Sequence, residues 1–211
     1  MNASDRTKQL LANGLKELAA VAPLRKIRVG ELCARCGVDR RTFYYHFRDI
    51  YDLAAWIFDQ IVDSHIPFEK EHSYQRGVEL CLTQIWKDEV FFRCALAEDS
   101  QNALGRYMLK HMNELYVEAL RRDRGRETLT TEERFTISYH CFGCLGMVCR
   151  WLFYEREHSP KELAALFYAA LPPILSNMYR HADEKEPHPS SGLRESPDAA
   201  FPKGEGCQER R

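Results

Sequence analysis

Apolar residues recur at intervals of three and four along most of this chain, and this spacing places them on one face of an α-helix. Leu11, Leu15 and Leu18 show the spacing near the N-terminus, and the same period returns as far as residue 120. No segment beyond Pro67 has the alternating pattern of a β-strand. The sequence therefore predicts an all-α fold.

The chain has 211 residues, of which 45% are hydrophobic and 29% charged, a composition typical of a globular protein with a substantial core. No apolar run approaches the roughly 18 residues that a membrane span requires, so we expect no membrane partner. The first residues are polar and lead directly into an amphipathic pattern, unlike a secretory signal peptide. These features predict a cytoplasmic protein.

Charge is distributed unevenly along the chain. Residues 1–50 contain ten Lys and Arg against five Asp and Glu, which gives this segment a net charge of +5. The whole chain has 30 basic and 31 acidic residues, which leaves 20 against 26, or −6, for the remainder. A basic head on an acidic body indicates that the head binds a polyanion.

The segment 27–47 has the form of a helix-turn-helix. Its pattern predicts a short helix over 29–36 and a second helix over 40–46. Gly37 supplies the turn, because it adopts positive φ at low cost, and Asp39 is a good N-cap for the second helix. Four apolar residues are expected to pack the pair onto the first helix of the chain: Leu32, Val38, Phe43 and Phe47.

The outer side of the second helix is rich in hydrogen-bond donors. The residues on it are Arg40, Arg41, Thr42, Tyr44, Tyr45 and His46. A helix with such a face suits the major groove of duplex DNA, where donors meet base edges and phosphates. We therefore predict that double-stranded DNA is a partner.

With these residues the chain resembles the TetR family of bacterial transcriptional regulators. The match is specific over about residues 7–62 and follows the family signature closely over 37–52, from the Gly-Val turn to the acidic start of the fourth helix. The architecture that this resemblance implies is a DNA-binding head of three helices, a fourth helix as connector, and two long final helices that form a dimeric four-helix bundle.

The resemblance also implies roles for single side chains. Thr42 and Tyr44 are similar to backbone and base contacts of the family. Tyr45 and His46 are similar to groove and phosphate contacts, and Arg48 to a phosphate clamp near the start of the fourth helix.

The chain departs from the family pattern at three positions. Arg28 replaces the usual Thr that caps the second helix, and Cys33 and Cys36 replace small alanines. The missing cap costs on the order of 1 kcal/mol, which is too little to abolish the motif.

A narrower resemblance, to regulators of dihydroxyacetone kinase operons, rests on the run 47–53 and on Trp56-Ile57-Phe58 after it. That subgroup includes activation, so the resemblance leaves repression and activation both open.

The predicted organisation has three parts. Residues 1–48 form a helix-turn-helix DNA-binding domain, 49–182 a helical regulatory and dimerisation domain, and 183–211 a disordered tail in which Pro, Ser, Gly and charge dominate. The last helix is expected to start at Pro160 and to kink at Pro172, which lacks an amide hydrogen.

The segment 131–156 is apolar on most faces, which predicts a helix that is buried on several sides. Gly143 and Gly146 within it lower helix propensity and suggest that another helix comes very near. We predict a homodimer through residues 131–181.

The family resemblance implies an inducer cavity among the aromatic and Met side chains of the middle helices, so a small-molecule effector or a regulatory protein is expected to control the chain.

Eight cysteines occur in the chain, and without a secretory signal they are expected to be reduced. Two pairs have the spacing of metal or redox motifs: Cys33 with Cys36, and Cys141 with Cys144, beside His140. Two ligands on one helical turn form no zinc site without partners elsewhere. We interpret these residues as small buried hydrophobes and predict no metal and no cofactor.

Two other classes of function compete with a regulator. The chain has no glycine-rich phosphate loop, no nucleophile elbow and no carboxylate pair on a defined scaffold, so we predict that it is not an enzyme. A helical protein–protein adaptor that has kept the fold without specific DNA binding is the stronger alternative. Such an adaptor is expected to have lost the donors of the second helix, and here they are intact.

Overall fold

The computed structural model describes residues 3–65, 74–97, 104–154 and 157–183. Within these ranges there are ten α-helices and no β-strand, which confirms the all-α prediction. The helices are α1 (Ala3–Ala19), α2 (Val29–Cys36), α3 (Arg40–His46), α4 (Ile50–His65), α5 (Tyr74–Lys87), α6 (Glu89–Leu96), α7 (Leu104–Arg124), α8 (Thr131–Phe153), α9 (Pro160–Ala169) and α10 (Pro173–Asp183). The predicted disordered tail lies outside the described residues, apart from Asp183 itself. No helix of the described ranges is long and apolar enough to cross a membrane.

Capping side chains mark the start of several helices. In α3, α4, α8 and α9 a side-chain oxygen accepts a hydrogen bond from the backbone N–H three residues later, and the capping residues are Asp39, Asp49, Thr130 and Ser159. α2 begins after Arg28 without a side-chain cap, as the substitution at that position predicts. Local sequence chemistry therefore sets the start of these four helices.

The end of the chain forms two helices where one kinked helix is predicted. α9 ends at Ala169, and α10 begins at Pro173. Pro172 and Pro173 both lack an amide hydrogen, and a residue that precedes a proline avoids the helical conformation. The two prolines together therefore break the helix, and the prediction of a continuous helix through Pro172 is wrong.

The connector helix α4 contacts both the N-terminal helices and the helices that follow it in the chain. It packs against α1, α5 and α7, while α1 also packs against α2 and α6. Buried apolar side chains from all of these helices form one continuous core. The position of the first three helices therefore depends on how α4 is packed.

Candidate DNA-binding surface

The inner side of the helix-turn-helix is buried. Leu32 and Phe43 have no exposed surface, and Phe47 is buried at the end of α3. The ring centroids of Phe43 and Phe47 lie 5.9 Å apart, and Phe47 contacts Trp56 of α4 at 5.8 Å. Val38, in the turn, is half-buried. These contacts fix the orientation of α3 relative to α1 and α4.

A close crossing of α1 and α2 depends on Gly14, which no sequence pattern identifies. A Cβ atom at Gly14 would overlap the Sγ of Cys36 and would lie 3.1 Å from the Cδ1 of Leu32. The Cys36 thiol donates a hydrogen bond to the backbone oxygen of Leu10 at 3.6 Å. The small residues at positions 14 and 36 therefore allow the two helices to approach closely.

Replacing Gly14 with alanine is expected to destabilise the head. The new methyl group would displace the Cys36 side chain, and such overpacking costs about 1–3 kcal/mol, against roughly 1 kcal/mol gained in helix propensity. Gly30→Ala in α2 is the matched control, because nothing lies within 4 Å of the Cβ position there. Thermal unfolding should give a lower Tm for Gly14→Ala alone and recovery when Cys36→Ala is added. Equal Tm values for the two single variants would contradict the close crossing.

The turn and the N-terminus of α3 are held by local hydrogen bonds. Gly37 has a φ of 63°, which is the left-handed conformation expected of it. The Asp39 carboxylate accepts hydrogen bonds from the backbone N–H of Thr42 at 2.8 Å and from its hydroxyl at 3.1 Å. These bonds lower the pKa of Asp39 below its ordinary value. Thr42 is half-buried, and its hydroxyl proton is directed at Asp39.

Four of the predicted DNA contacts project into solvent on one side of α3. They are Arg40, Arg41, Tyr44 and Tyr45. Tyr45 is 83% exposed and Tyr44 is 51% exposed, although the opposite side of α3 is fully packed. Two guanidinium groups and two phenol groups therefore form one accessible helix surface.

Two further predicted contacts have partners within the chain. His46 is half-buried with its ring edge-on to Tyr45 at 4.9 Å, and burial, followed by the charge of Lys8, lowers the pKa of His46 below its usual 6.5. Arg48 forms an ion pair with Asp52 at 3.0 Å, although the Arg48 side chain is 86% exposed. A DNA phosphate would therefore compete with Asp52 for Arg48.

Lys8 of α1 lies beside this surface, a placement that the sequence pattern does not predict. Its Nζ lies 5.9 Å from the centroid of the Trp56 ring, and its charge acts on His46. The basic excess over residues 1–50 is visible in the sequence. The neighbours of a single lysine depend on how α1 packs against the other helices.

The cysteines of the described ranges are free thiols. Within those ranges no group of three or more His, Cys, Asp or Glu side chains is arranged to hold a metal ion. Cys33 is buried and Cys36 half-buried against α1, so both pack as small apolar residues. Cys207 lies outside the described residues.

Polar contacts join α1 and α4 to the rest of the fold. The Tyr107 hydroxyl of α7 donates a hydrogen bond to Asp59 of α4 at 2.6 Å, and His111 Nδ1 lies 3.2 Å from the same carboxylate. Lys16 of α1 forms an ion pair at 2.6 Å with Asp88, which precedes α6. Salt screens such partly buried groups less than it screens exposed pairs. These contacts tie the first helices and the connector to the body.

An apolar cavity of about 100 Å³ lies among α4, α5, α7, α8 and α9. Met108, Met112 and Tyr116 of α7 line it, and so do Phe58 and Val62 of the connector helix. The cavity therefore lies among the middle helices, and its wall includes part of α4.

The helix α8 presents an apolar face to solvent. Phe135, Tyr139 and Phe142 are 70%, 72% and 65% exposed, and their spacing of four and three places them on one side. Gly143 and Gly146 continue this side, and nothing lies within 4 Å of a Cβ built at either. Within a single chain α8 is therefore not buried on several sides, because no described element covers its outer face.

Residues 73–172 match the family model TetR_C_8, described as a transcriptional regulator C-terminal region. No curated protein sequence matches the chain significantly. The fold is similar to that of the dihydroxyacetone kinase operon activator DhaS, at 18% identity and a TM-score of 0.58, over 78% of this chain and 93% of that one.

Two other solved structures have a similar fold. The fatty acid degradation regulator FadR from Bacillus halodurans has 15% identity and a TM-score of 0.51, over 81% of this chain and 95% of that one. A TetR-family transcriptional regulator from Streptomyces coelicolor has 14% identity and a TM-score of 0.50, over 89% and 92%.

The match over residues 73–172, together with the helical fold, supports a role as a transcriptional regulator. The match over residues 73–172 agrees with the resemblance to the TetR family found in the helix-turn-helix, and confirms it for the C-terminal region. This family is not one of enzymes, and the expectation that the chain is not an enzyme agrees with it.

Proposed function

We propose that this chain is a cytoplasmic, homodimeric regulator that binds operator DNA with α3 of each protomer in the major groove. Residues 1–48 are then the DNA-binding domain and 49–182 the regulatory and dimerisation domain. The observation that most directly supports the proposal is the outer face of α3, whose donors are exposed while its inner side is fully buried.

The chemistry of that face suits duplex DNA. Arg40 and Arg41, at the N-terminal end of α3, would neutralise phosphates or donate two parallel hydrogen bonds to a guanine edge. Tyr44 and Tyr45, one turn later, would reach base edges and the wall of the groove. A single head offers few base contacts, so two heads on one face of the duplex are needed for operator affinity.

The predicted contacts that have partners within the chain would act on phosphates at the edge of the groove. His46 is held with a low pKa, so near pH 7 it would donate a hydrogen bond as a neutral imidazole. Thr42 and Arg48 would exchange their internal partners, Asp39 and Asp52, for phosphate oxygens. Because the Arg48 ion pair is exposed, breaking it costs little.

Binding to a duplex from the region upstream of its own gene should weaken steeply as salt rises, because Lys and Arg contacts release counterions. Two heads with at least two arginine contacts each predict a slope of log K against log salt of about −3.6 or steeper. Fluorescence anisotropy of a labelled duplex measures this slope. Absence of binding at low salt, or binding that salt leaves unchanged, would contradict the proposal.

The apolar face of α8 supports a homodimer. Exposed apolar patches on soluble proteins mark interaction sites, and a two-fold interface uses the same patch on both partners. Gly143 and Gly146 would let a helix of the partner approach closely, and Leu166 of α9, which is 49% exposed, would extend the contact. An interface in the obligate class would bury about 2,000 Å² in total.

The cavity is the site that we propose for an effector. Phe58 and Val62 of α4 form part of its wall, so an occupant would change the packing of α4. α4 in turn packs against α1 of the head. This continuous path of packed side chains would connect the occupancy of the cavity with the spacing of two DNA-binding heads.

A further inference from the structure

The lining of the cavity carries no charged side chain. Its walls consist of side chains from α4, α5, α7, α8 and α9. The set comprises aliphatic and aromatic residues, two methionines, two tyrosines and three cysteines. A ligand in this partly open space would therefore contact almost exclusively apolar protein atoms.

The two tyrosines are already engaged with each other. The hydroxyls of Tyr74 and Tyr116 lie 2.8 Å apart in a buried hydrogen bond between α5 and α7. Burial raises the pKa of both hydroxyls above the ordinary value, so both are neutral in the physiological range. They therefore offer a ligand at most a weak polar contact and no charge.

The three thiols of the lining are neutral as well. Burial raises the pKa of Cys81, Cys141 and Cys144 to about 12, so near pH 7 they are protonated. His140, whose Nε2 lies 3.5 Å from the Cys144 sulfur, has a pKa lowered by burial to about 4 and is uncharged. Protonated buried thiols behave as small apolar groups.

A charged or strongly hydrated ligand would lose its water shell in this cavity and gain no compensating partner. A carboxylate or phosphate is penalised most, because no cation of the lining faces it. A polyol is penalised too, since its hydroxyls would find few partners. The chemistry of the walls therefore selects for apolar surface.

The volume limits the size of the occupant. An apolar cavity of roughly 150 Å³ in another protein holds benzene and otherwise stays dry. The cavity here is somewhat smaller, at about 100 Å³, but Met108 and Met112 are flexible side chains that adapt to a guest. We propose that this cavity binds a small, uncharged and largely apolar molecule with the size of a single aromatic ring or a short aliphatic chain. The inference rests on the proposed effector control of the chain.

Toluene, benzoate and glycerol are the probes that test this inference. Toluene and benzoate share the ring and differ in charge, and glycerol is neutral but polar. Each probe is added to the full chain at the same concentration, below the solubility limit of toluene. At about tenfold excess over its Kd, toluene should raise Tm by about 3 °C. Benzoate and glycerol should leave Tm unchanged. No shift with toluene, or an equal shift with benzoate, would overturn the inference.

A pair of matched variants locates the binding. Val78→Phe fills the cavity, whereas Val90→Phe makes the same change at a position of α6 that is 57% exposed. The toluene shift should disappear in Val78→Phe and persist in Val90→Phe. Should Val78→Phe fail to fold, Cys141→Leu fills the same cavity with a smaller side chain. A toluene shift that persists in a folded cavity-filling variant would overturn the assignment.

A second readout separates this inference from the proposed effector control. The Tm series contains no DNA, so it reports only what the cavity binds. Anisotropy of the operator complex with saturating toluene then reports whether occupancy changes DNA affinity, and a change of at least several-fold is expected. Toluene that binds and leaves the affinity unchanged would confirm the ligand class and contradict control through this cavity.

Discussion

Replacing Tyr44 with alanine is expected to weaken specific operator binding by about 1–3 kcal/mol at each head. A homodimer presents the change twice, so the loss for the whole operator would be about 2–6 kcal/mol, roughly 30-fold to more than 10⁴-fold in Kd. The Tyr44 ring packs edge-on against the buried Phe43 ring at 5.5 Å, which holds the phenol in one place on the face of α3. Anisotropy with the native upstream duplex measures the loss.

Three comparisons make this result specific. Tyr44→Phe keeps the ring and removes the hydroxyl, so it separates a base hydrogen bond from apolar contact. Arg40→Ala should weaken binding to all sequences alike and reduce the salt slope by about 1 for each head. Arg124→Ala, on the exposed end of α7, is the matched arginine control and should have no effect. Unchanged affinity in both Tyr44→Ala and Arg40→Ala would contradict the DNA-binding role of α3.

Gly146→Leu is expected to separate the protomers while the single chain keeps its fold. Nothing lies within 4 Å of a Cβ at Gly146, so the start of a leucine side chain has open space there, and leucine also favours the helix. Across a two-fold interface the two leucines would overpack the contact, at about 1–3 kcal/mol each. The dimer Kd should therefore rise by roughly 30-fold to 10⁴-fold. Sedimentation velocity across a concentration series measures it.

The control for this variant is Gly30→Leu, because Gly30 is another helical glycine with open space at its Cβ position. It should leave the dimer unchanged, and circular dichroism should show the same helicity for both variants. Operator affinity of Gly146→Leu should fall together with dimerisation, since separate heads no longer bind two half-sites as a unit. A Gly146→Leu protein that dimerises as the wild type does would place the interface elsewhere.

Features that depend on a few neighbouring residues were predictable from the sequence. The cap at Asp39 and the left-handed turn at Gly37 follow from local hydrogen bonds and backbone sterics. The buried side of α3 follows from helical spacing in the same way. These local rules were sufficient to define the helix-turn-helix.

Features that depend on how distant segments meet were not predictable. A glycine is needed at position 14 only because the Cys36 side chain lies opposite it when α1 and α2 cross. Lys8 is placed beside Trp56 by the packing of α1 against α4. The cavity is formed by five helices, and no spacing within one of them encodes it. The break before Pro173 was missed because one proline can be absorbed as a kink, whereas two in succession leave too few amide donors.

The outer face of α8 shows why burial cannot be assigned from hydrophobicity alone. The apolar character of segment 131–156 on most faces predicts a helix that is buried on several sides, yet in a single chain Phe135, Tyr139 and Phe142 are exposed. A sequence specifies that such a face needs a covering surface, and it does not specify whether that surface belongs to the same chain. The proposed homodimer would supply a physical reason for the apolar character of this face.

The most direct test of a dimeric DNA-binding regulator is the stoichiometry of its operator complex. Sedimentation velocity of the full chain, titrated onto the duplex from its own upstream region, gives the mass of the complex. Two chains on each duplex are predicted, with an affinity at least about 10³-fold above that for a scrambled duplex. One chain per duplex, or equal affinity for the scrambled sequence, would contradict the account and favour an adaptor that has kept the fold without specific DNA binding.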